Sequence, residues 1–319
     1  TIRGLRVKYL SADPATSEDG QVWYNSTTGN LRVDGMVLAG SWASGGNLST
    51  ARNSLAGFGT QVAAVAAGGN PGSPPYNSNS TEEYNGSSWT GGGSMNTARR
   101  GIQQAGIGVL TAGLVTGGYT TGSSNLNEEY NGTSWTVATV YPLSVYESGS
   151  FGTQTAGVVW GSESSITTTN EYDGTNWTAG GALNSGRNAT SGFGTLTAGV
   201  AASGYSSTSQ IAETEEYNGS SWTVVNPVNT ARNASAASGV QTSGILAGGS
   251  TPPLIANTEI YDGTNWSNST NLATAKNNLN AGDQSAEAAV VFGGGTPSVT
   301  NATEEYTGAT VITKNLSTS

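Results

Sequence analysis

The chain of 319 residues contains no cysteine and no histidine. Without cysteine it can form neither a disulfide nor a thiolate nucleophile. The lack of both residues also excludes a Ser-His-Asp triad and the common zinc sites. These two absences remove several large classes of enzyme.

Charge is also scarce, since Asp, Glu, Lys and Arg together make up 10% of the chain. The net charge is -10 and the few basic residues form no cluster, so binding to nucleic acid through its phosphates is not expected. No apolar run approaches the roughly 20 residues that span a bilayer, so membrane insertion is not expected either. Disorder is not predicted, because there is too little charge for it and aromatic residues recur at regular intervals.

The chain does contain a six-residue phrase, Tyr-Asn/Asp-Gly-Ser/Thr-Ser/Asn-Trp, in five copies. Its tyrosines and tryptophans are Tyr84 and Trp89, Tyr130 and Trp135, Tyr172 and Trp177, Tyr217 and Trp222, and Tyr261 and Trp266. Successive tryptophans lie 46, 42, 45 and 44 residues apart, and a degraded sixth copy ends at Val311, 45 residues after Trp266. A period of roughly 40–50 residues with strand-like content is typical of propellers and solenoids.

Each repeat predicts four short strands separated by turns. The Asn-Gly and Asp-Gly pairs favour tight hairpins, which place the tyrosine and the tryptophan on neighbouring antiparallel strands. Strand two ends in small residues, as at Gly68 and Gly69, and a basic residue such as Arg52 precedes strand one.

This combination of Gly-Gly, Tyr, Trp and Arg, over about residues 40–315, resembles the kelch repeat. The resemblance implies an all-β fold, a β-propeller of kelch-like four-stranded blades around a central channel. Six blades are predicted, with seven as the alternative.

The amino-terminal residues follow another pattern. Residues 23–33 predict a β-hairpin and residues 36–42 a further strand. Trp42 precedes Trp89 by 47 residues, so this strand either completes the last blade, whose own tryptophan is replaced by Val311, or belongs to an additional partial blade. The first interpretation is favoured, because a ring closed by both ends of the chain leaves no exposed strand edge. We therefore predict a docking and ring-closing segment at 1–46 and a propeller at 47–319.

A second resemblance involves residues 5–14, Leu-Arg-Val-Lys-Tyr-Leu-Ser-Ala-Asp-Pro, and residues 20–28, Gly-Gln-Val-Trp-Tyr-Asn-Ser-Thr-Thr. They are similar to the opening of virion proteins from tailed phages of marine bacteria, which also continue into Gly/Ser/Thr-rich kelch-like repeats. The resemblance implies a virion protein, in a tail fibre or surface appendage that meets the host. Its implied partners are other virion proteins, a host surface glycan or receptor, and further copies of the chain in the assembly.

The repeated residues allow a functional and a structural interpretation. The tryptophans and tyrosines could stack on sugars, but repetition at one fixed position favours packing between blades. The recurrent glutamates, such as Glu82 and Glu83, could form a pair for glycoside hydrolysis. Their constant phase favours pairing with the recurrent arginine instead. Repeat three has Val145 in place of the arginine and has also lost one glutamate.

A few turn residues have the chemistry of calcium ligands, namely Asp173, Asn176, Asp262 and Asn265. Asp and Asn also favour such turns for backbone reasons, which is the preferred interpretation. No cofactor is expected.

The loops between strands two and three vary most from repeat to repeat, and we expect them to lie on one face. They span 70–80, 119–127, 205–211, 251–256 and 296–301. Because binding usually resides in variable loops on a rigid scaffold, the tyrosines in or beside them are candidate ligand-binding residues. These are Tyr76, Tyr119 and Tyr205, which could also simply cover the blade ends.

The predicted function is host attachment by a non-enzymatic virion protein, through many weak contacts with glycans. One alternative is a purely structural decoration of the capsid or tail. Another is a glycan-cleaving enzyme with a carboxylate pair in one asymmetric blade.

Overall fold

The computed structural model describes residues 7–14, 21–38, 40–104, 106–164, 166–282 and 285–316, without the side chains of 33–38 and 310–316. Residues 5–6 and 20 of the phage-like segments, and the side chain of Val311, therefore lie outside the described part. The described residues form β-strands and no helix, which confirms the all-β prediction. No described residue lies in a helix that could span a membrane. Two compact units are present, Thr1–Ser41 with Gly308–Ser319, and Trp42–Thr307.

The described residues form 28 strands. The first four are β1 (Lys8–Leu10), β2 (Val22–Asn25), β3 (Asn30–Leu38) and β4 (Ser41–Ser44). Sheet one contains β5 (Ala56–Thr60), β6 (Ala63–Ala67), β7 (Thr81–Tyr84) and β8 (Trp89–Gly91). Sheet two contains β9 (Gly106–Val109), β10 (Ala112–Thr116), β11 (Asn127–Tyr130) and β12 (Trp135–Val137). Sheet three contains β13 (Gly149–Thr153), β14 (Ala156–Trp160), β15 (Thr169–Tyr172) and β16 (Trp177–Ala179).

Sheet four contains β17 (Ser191–Thr195), β18 (Ala198–Tyr205), β19 (Gln210–Tyr217) and β20 (Trp222–Val225). Sheet five contains β21 (Ala236–Val240), β22 (Ser243–Ala247), β23 (Thr258–Tyr261) and β24 (Trp266–Ser269). The last four strands are β25 (Asn280–Ala281), β26 (Val290–Phe292), β27 (Thr303–Thr307) and β28 (Thr310–Leu316). Within sheets one to five, consecutive strands pair antiparallel.

The unit of Thr1–Ser41 and Gly308–Ser319 is one four-stranded sheet in the order β1-β2-β3-β28. The predicted hairpin is its centre, with β2 antiparallel to β3 and a turn that ends at Gly29, whose φ is +70°. The carboxylate of Asp13 accepts hydrogen bonds from Trp23 and Asn25 on β2, each 2.9 Å long, and forms an ion pair with Arg32 on β3. Strand β28 pairs with β3, with Val311 opposite Val37. The degraded sixth phrase therefore supplies Tyr306 on β27 but no fourth strand to the sheets of Trp42–Thr307.

Sheet six is assembled from two distant parts of the chain, in the order β25-β26-β27-β4. Strand β4 brings Trp42 into the position that the tryptophans of the repeated phrase occupy in the other sheets. Its indole N–H donates to Thr258 on sheet five, just as that of Trp89 donates to Thr303 on sheet six. The strand that carries Trp42 therefore completes the last sheet.

The first strands of the six sheets contact one another in a closed cycle, from β5 through β9, β13, β17 and β21 to β25 and back to β5. Backbone hydrogen bonds of 2.8–3.3 Å follow the same cycle just ahead of these strands. They link Ser54 to Asn278, Asn278 to Ala234, Ala234 to Ala189, Ala189 to Glu147, Glu147 to Gly101, and Ile102 to Ser54. This arrangement of blade-like sheets is consistent with a β-propeller.

The hydrophobic cores of Trp42–Thr307 lie between neighbouring sheets. Phe193 of sheet four, for example, packs with Tyr261 and Trp266 of sheet five. Glycine allows the close approach, since a Cβ on Gly244 would lie 2.1 Å from the ring of Phe193. The aromatic residues of the repeated phrase therefore fill the wedges between sheets.

A two-residue insertion ahead of β9 places a polar side chain among the first strands of the sheets. From Arg52 to the positive-φ Gly59 the chain advances by seven residues, but from Arg99 to the equivalent Gly108 it advances by nine. The extra length contains Gln104, whose amide crosses from sheet two to the backbone oxygen of Ser235 ahead of sheet five, 2.9 Å away. Further polar contacts surround it, from Ser150 to the Gln104 oxygen (2.6 Å), from Ser191 to the Ser235 oxygen (2.9 Å) and from Asn280 to the Leu55 oxygen (3.2 Å).

Candidate functional site

Most carboxylates of the repeats are committed to the scaffold. In five of the six sheets, the first glutamate before the tyrosine forms a buried ion pair with the basic residue ahead of strand one, as predicted. The pairs are Arg52–Glu82, Arg99–Glu128, Arg187–Glu215, Arg232–Glu259 and Lys276–Glu304. The arginines also donate to backbone oxygens just after strand two and just before strand three, so each pair joins these parts of its own sheet.

The second glutamate accepts a hydrogen bond from the tyrosine of the next sheet. These bonds join Tyr84 to Glu305, Tyr130 to Glu83, Tyr172 to Glu129, Tyr217 to Glu171 and Tyr261 to Glu216. In each case burial, followed by the glutamate, raises the pKa of the tyrosine. Sheets one, two, four and six are thus bonded within themselves through one carboxylate and to a neighbour through the other.

Sheet three replaces the ion pair with neutral groups. Val145 lies at the position of the arginine and Asn170 at that of the glutamate. The Asn170 amide donates to the hydroxyl of Tyr141, at 2.9 Å, and burial raises the pKa of Tyr141 to about 12. Both charges are absent from this one sheet, which explains why they vary together in the sequence.

The turns of the repeated phrase use their Asp and Asn oxygens for the backbone. The Asp173 carboxylate accepts from the N–H groups of Thr175 and Asn176, at 2.8 and 2.6 Å, and these bonds lower the pKa of Asp173. Asp262 accepts from Thr264 and Asn265 in the same way. Among the described residues, no group of three or more acidic side chains is placed to hold a metal ion.

Six hydrogen-bonded residue pairs flank the backbone cycle, and we call them the rim. Each joins the residue after the basic position to the residue after the small pair that ends strand two. The rim pairs are Asn53–Asn70, Arg100–Tyr119, Tyr146–Glu163, Asn188–Tyr205, Asn233–Ser250 and Asn277–Gly295. Their backbone N–H to O distances are 2.6–3.2 Å.

The rim is chemically uneven. Three adjacent pairs, those of sheets two, three and four, carry an arginine, a glutamate and three tyrosines. The other three carry only asparagine, serine and glycine. Five of the six pairs are hydrogen-bonded in both directions, and that of sheet three only through the Glu163 N–H. Since those five share one backbone arrangement, the arginine and the tyrosines of sheets two and four are not required by the fold.

Aromatic and cationic side chains meet on sheets two and three. The Arg100 guanidinium lies 4.7 Å from the centre of the Tyr119 ring, within the range of a cation–π contact. Tyr119 and Tyr146 pack edge to face, with ring centres 5.5 Å apart. Asn77, in the loop of sheet one, accepts from Arg100 at 3.0 Å and donates to the Thr120 oxygen at 2.8 Å.

Two carboxylates adjoin this cluster. Glu163 accepts from the hydroxyls of Ser123 and Ser162, and its backbone N–H donates to the Tyr146 oxygen, 3.1 Å away. Burial raises the pKa of Glu147, and the charge of Glu163 acts in the same direction. Arg100 has no carboxylate within 4 Å, in contrast to the other five cations of Trp42–Thr307, in the part of the chain that the structure describes.

The three predicted tyrosines lie in different settings. Arg100, Tyr119 and Tyr146, with the adjoining Glu147 and Glu163, form what we call the rim cluster. Tyr76 is 52% exposed in the loop after β6 and is not part of a rim pair. Its neighbour Asn77 joins that loop to the cluster. Tyr205 belongs to the next rim pair, whose Asn188 side-chain amide donates to the backbone oxygen of Glu163 at 3.2 Å. The irregular loop predicted at 205–211 is shorter than expected, because β18 runs through Tyr205 and β19 begins at Gln210.

Sequence reasoning missed the roles of Arg100, Tyr146, Glu147 and Glu163. For sheet three the available signal was Val145, where the recurrent arginine is lost and the repeat departs from its regular pattern. Tyr146 of the rim and Glu147 follow it directly.

No model of a known protein family matches the chain, and no curated protein sequence matches it.

Proposed function

We propose that residues Trp42–Thr307 form a six-bladed, kelch-like β-propeller whose rim binds glycans, and that the chain attaches a phage virion to its host surface. The closed cycle of strand contacts and backbone hydrogen bonds supports the six blades. The resemblance of residues 5–14 and 20–28 to phage virion proteins supports the location. The host glycan and the other virion proteins are the proposed partners.

The observation that carries the binding function is the concentration of Arg100, Tyr119 and Tyr146 at adjacent rim pairs. Aromatic faces present large contact areas, and their hydroxyls supply hydrogen bonds at the edge. Arginine with an aromatic neighbour is a common anchor of binding surfaces. A scaffold that needs only asparagine and small residues at the equivalent positions gains no evident structural benefit from this set.

A glycan array tests this function with the full chain and a Tyr146→Asn variant. Asparagine occupies the equivalent position in sheets one, four, five and six, so the backbone accommodates it. We expect Tyr146→Asn to weaken binding about tenfold or more, as loss of a central aromatic anchor does. The matched control is Ser250→Ala, on the rim of sheet five, which should bind like the wild type. Equal losses in both variants would refute the assignment to sheets two to four.

The location is tested on purified virions that contain the chain. An antibody against residues of an exposed turn, such as 85–88, should label the tail or surface appendages in electron micrographs. Absence of the chain from particles would contradict the virion assignment without affecting the glycan assay.

Binding is proposed to occur without cleavage. Incubation with each polysaccharide that binds should release no new reducing ends. Release that depends on Glu147 or Glu163 would show instead that the carboxylates of sheet three are catalytic.

A further inference from the structure

A hydrogen-bond donor and an acceptor are held apart in the rim cluster. Arg100 is positioned by Asn77 and Tyr119, and Glu163 by Ser123 and Ser162. They belong to adjacent rim pairs but form no ion pair with each other. Each group is therefore oriented by its own partners and keeps bonding capacity for a ligand, because a guanidinium has five N–H donors and a carboxylate about four acceptor sites.

Tyr146 lies among these charges. Its ring is fixed on one side by Tyr119 and on another by the backbone at Gly101, where a Cβ would lie 3.1 Å from the ring. Burial raises the pKa of Tyr146, Glu147 and Glu163 raise it further, and Arg100 opposes them. The ring is therefore supported by its neighbours, and the charges of Glu147, Glu163 and Arg100 act on its hydroxyl.

The sign of the charge selects among ligands. Two carboxylates, Glu147 and Glu163, accompany the single cation Arg100, on a chain whose net charge is -10. An anionic sugar would be repelled by the carboxylates and cannot donate a hydrogen bond from its own carboxylate. A sugar hydroxyl can donate to a carboxylate and accept from a guanidinium at the same time.

Building on the glycan-binding function proposed above, we infer that the rim cluster takes a neutral hexose unit. Its hydroxyls bridge Glu163 and Arg100, and its apolar face lies against Tyr146. Glycans rich in uronic acids or sulfate are discriminated against.

The test uses pairs of oligosaccharides that differ only at C6. Each member of a panel of neutral hexose oligomers is compared with its C6-oxidised form, in which CH2OH is replaced by a carboxylate. Binding to the full chain is measured by titration calorimetry at low salt, where electrostatic repulsion is least screened. We expect the neutral form of the oligomer that binds to be preferred about tenfold, the order of effect of one like charge a few ångströms away.

Two variants connect this preference to the cluster. Glu163→Gln removes the charge but keeps the shape, and should reduce the preference for the neutral form about threefold or more. Arg100→Asn introduces the residue that four other rim pairs carry, and should weaken binding of the neutral form. The control is Glu287→Gln, an exposed carboxylate of sheet six, which should change neither value.

The outcomes separate the two proposals. Tighter binding of the oxidised form, or a preference that Glu163→Gln leaves unchanged, overturns the assignment to neutral hexoses while glycan binding stands. If neither form of any oligomer binds the wild-type chain, glycan binding itself is wrong, and the ligand class is wrong with it.

Discussion

Sheets three and five have the same four-stranded frame, but different interactions occupy its interior. Sheet five contains the buried pair Arg232–Glu259, whereas sheet three has Val145 and the neutral bond between Asn170 and Tyr141. The frame therefore does not require the ion pair. It requires that both charges be present or that both be absent, because an unpaired buried charge is far more costly than a neutral pair.

The same two sheets differ at the rim. Sheet five carries Asn233 and Ser250 there, and sheet three carries Tyr146 and Glu163. The sheet that has lost the most regular interaction of the repeat is thus also the one with the most unusual rim. Regularity marks the scaffold in this molecule, and departures from it mark the candidate site.

The largest expected effect on stability comes from replacing a residue of sheet five with the residue at the equivalent position of sheet three. Arg232→Val leaves Glu259 buried without its cation, and we expect a loss of about 3–5 kcal/mol in the free energy of unfolding. Adding Glu259→Asn, which removes the unpaired buried charge, should recover a large part of that loss. Denaturant unfolding measures both variants. A single variant within about 1 kcal/mol of the wild type would show that the pair contributes little.

The bond between neighbouring sheets gives the next effect. Sheet five has Ile260 where sheet three has Glu171, and there the tyrosine of the next sheet, Tyr306, pairs with Ser269 at 2.7 Å. Glu171→Ile leaves the Tyr217 hydroxyl without its acceptor and should cost about 1–3 kcal/mol. Replacing Tyr217 with Phe in the same chain should remove most of that cost. If the double variant is as unstable as the single one, lost packing rather than the orphaned hydroxyl is responsible.

High pH should distinguish the interior of sheet three. The pKa of Tyr141 is raised from about 10 in the unfolded chain to about 12, so its contribution to stability is complete below pH 10. It is lost as pH rises, by about 2 kcal/mol at pH 12. Tyr141→Phe should therefore flatten part of the decline in unfolding free energy between pH 10 and 12. An unchanged decline would assign it to the tyrosines between sheets, whose pKa values are also raised.

The smallest effect is expected in the turns, where sheets three and five agree with each other. Both have Asp at the turn position, whereas sheet two has Asn131, whose side-chain oxygen accepts from the same two backbone N–H groups. Asn131→Asp should change the free energy of unfolding by less than about 0.5 kcal/mol, measured by denaturant unfolding. A larger change would mean that the turn has a role beyond its backbone geometry.

Much of the scaffold could be predicted because its causes are local or periodic. The turn at Gly132 follows from Asn-Gly chemistry, and the Arg99–Glu128 pair follows from two residues that recur in phase. The position of Trp42 follows from its spacing to Trp89. The location of β28 does not follow, because pairing with β3 depends on a contact between residues almost 280 positions apart.

The candidate site was predicted only in part. Tyr119 could be selected from its variable loop, but its contacts with Arg100 and Tyr146 depend on how two sheets lie against each other. In sheet four, β18 has a register shift between Ala202 and Gly204, and its pairing with β19 continues to Tyr205 and Gln210, which shortens the loop. The pattern of repeats does not predict this continued pairing.

The Gln104 insertion changes how this array should unfold. In most repeat proteins each unit contacts only its neighbours, so stability behaves as a one-dimensional sum and the ends can fray separately. Here one amide connects sheet two to Ser235 ahead of sheet five, with two sheets between them on either side of the cycle. Loss of sheet two or sheet five would therefore disturb partners beyond its immediate neighbours. The six sheets are therefore expected to melt in one cooperative transition, and deletion of residues 103–104 should broaden that transition more than it lowers its midpoint.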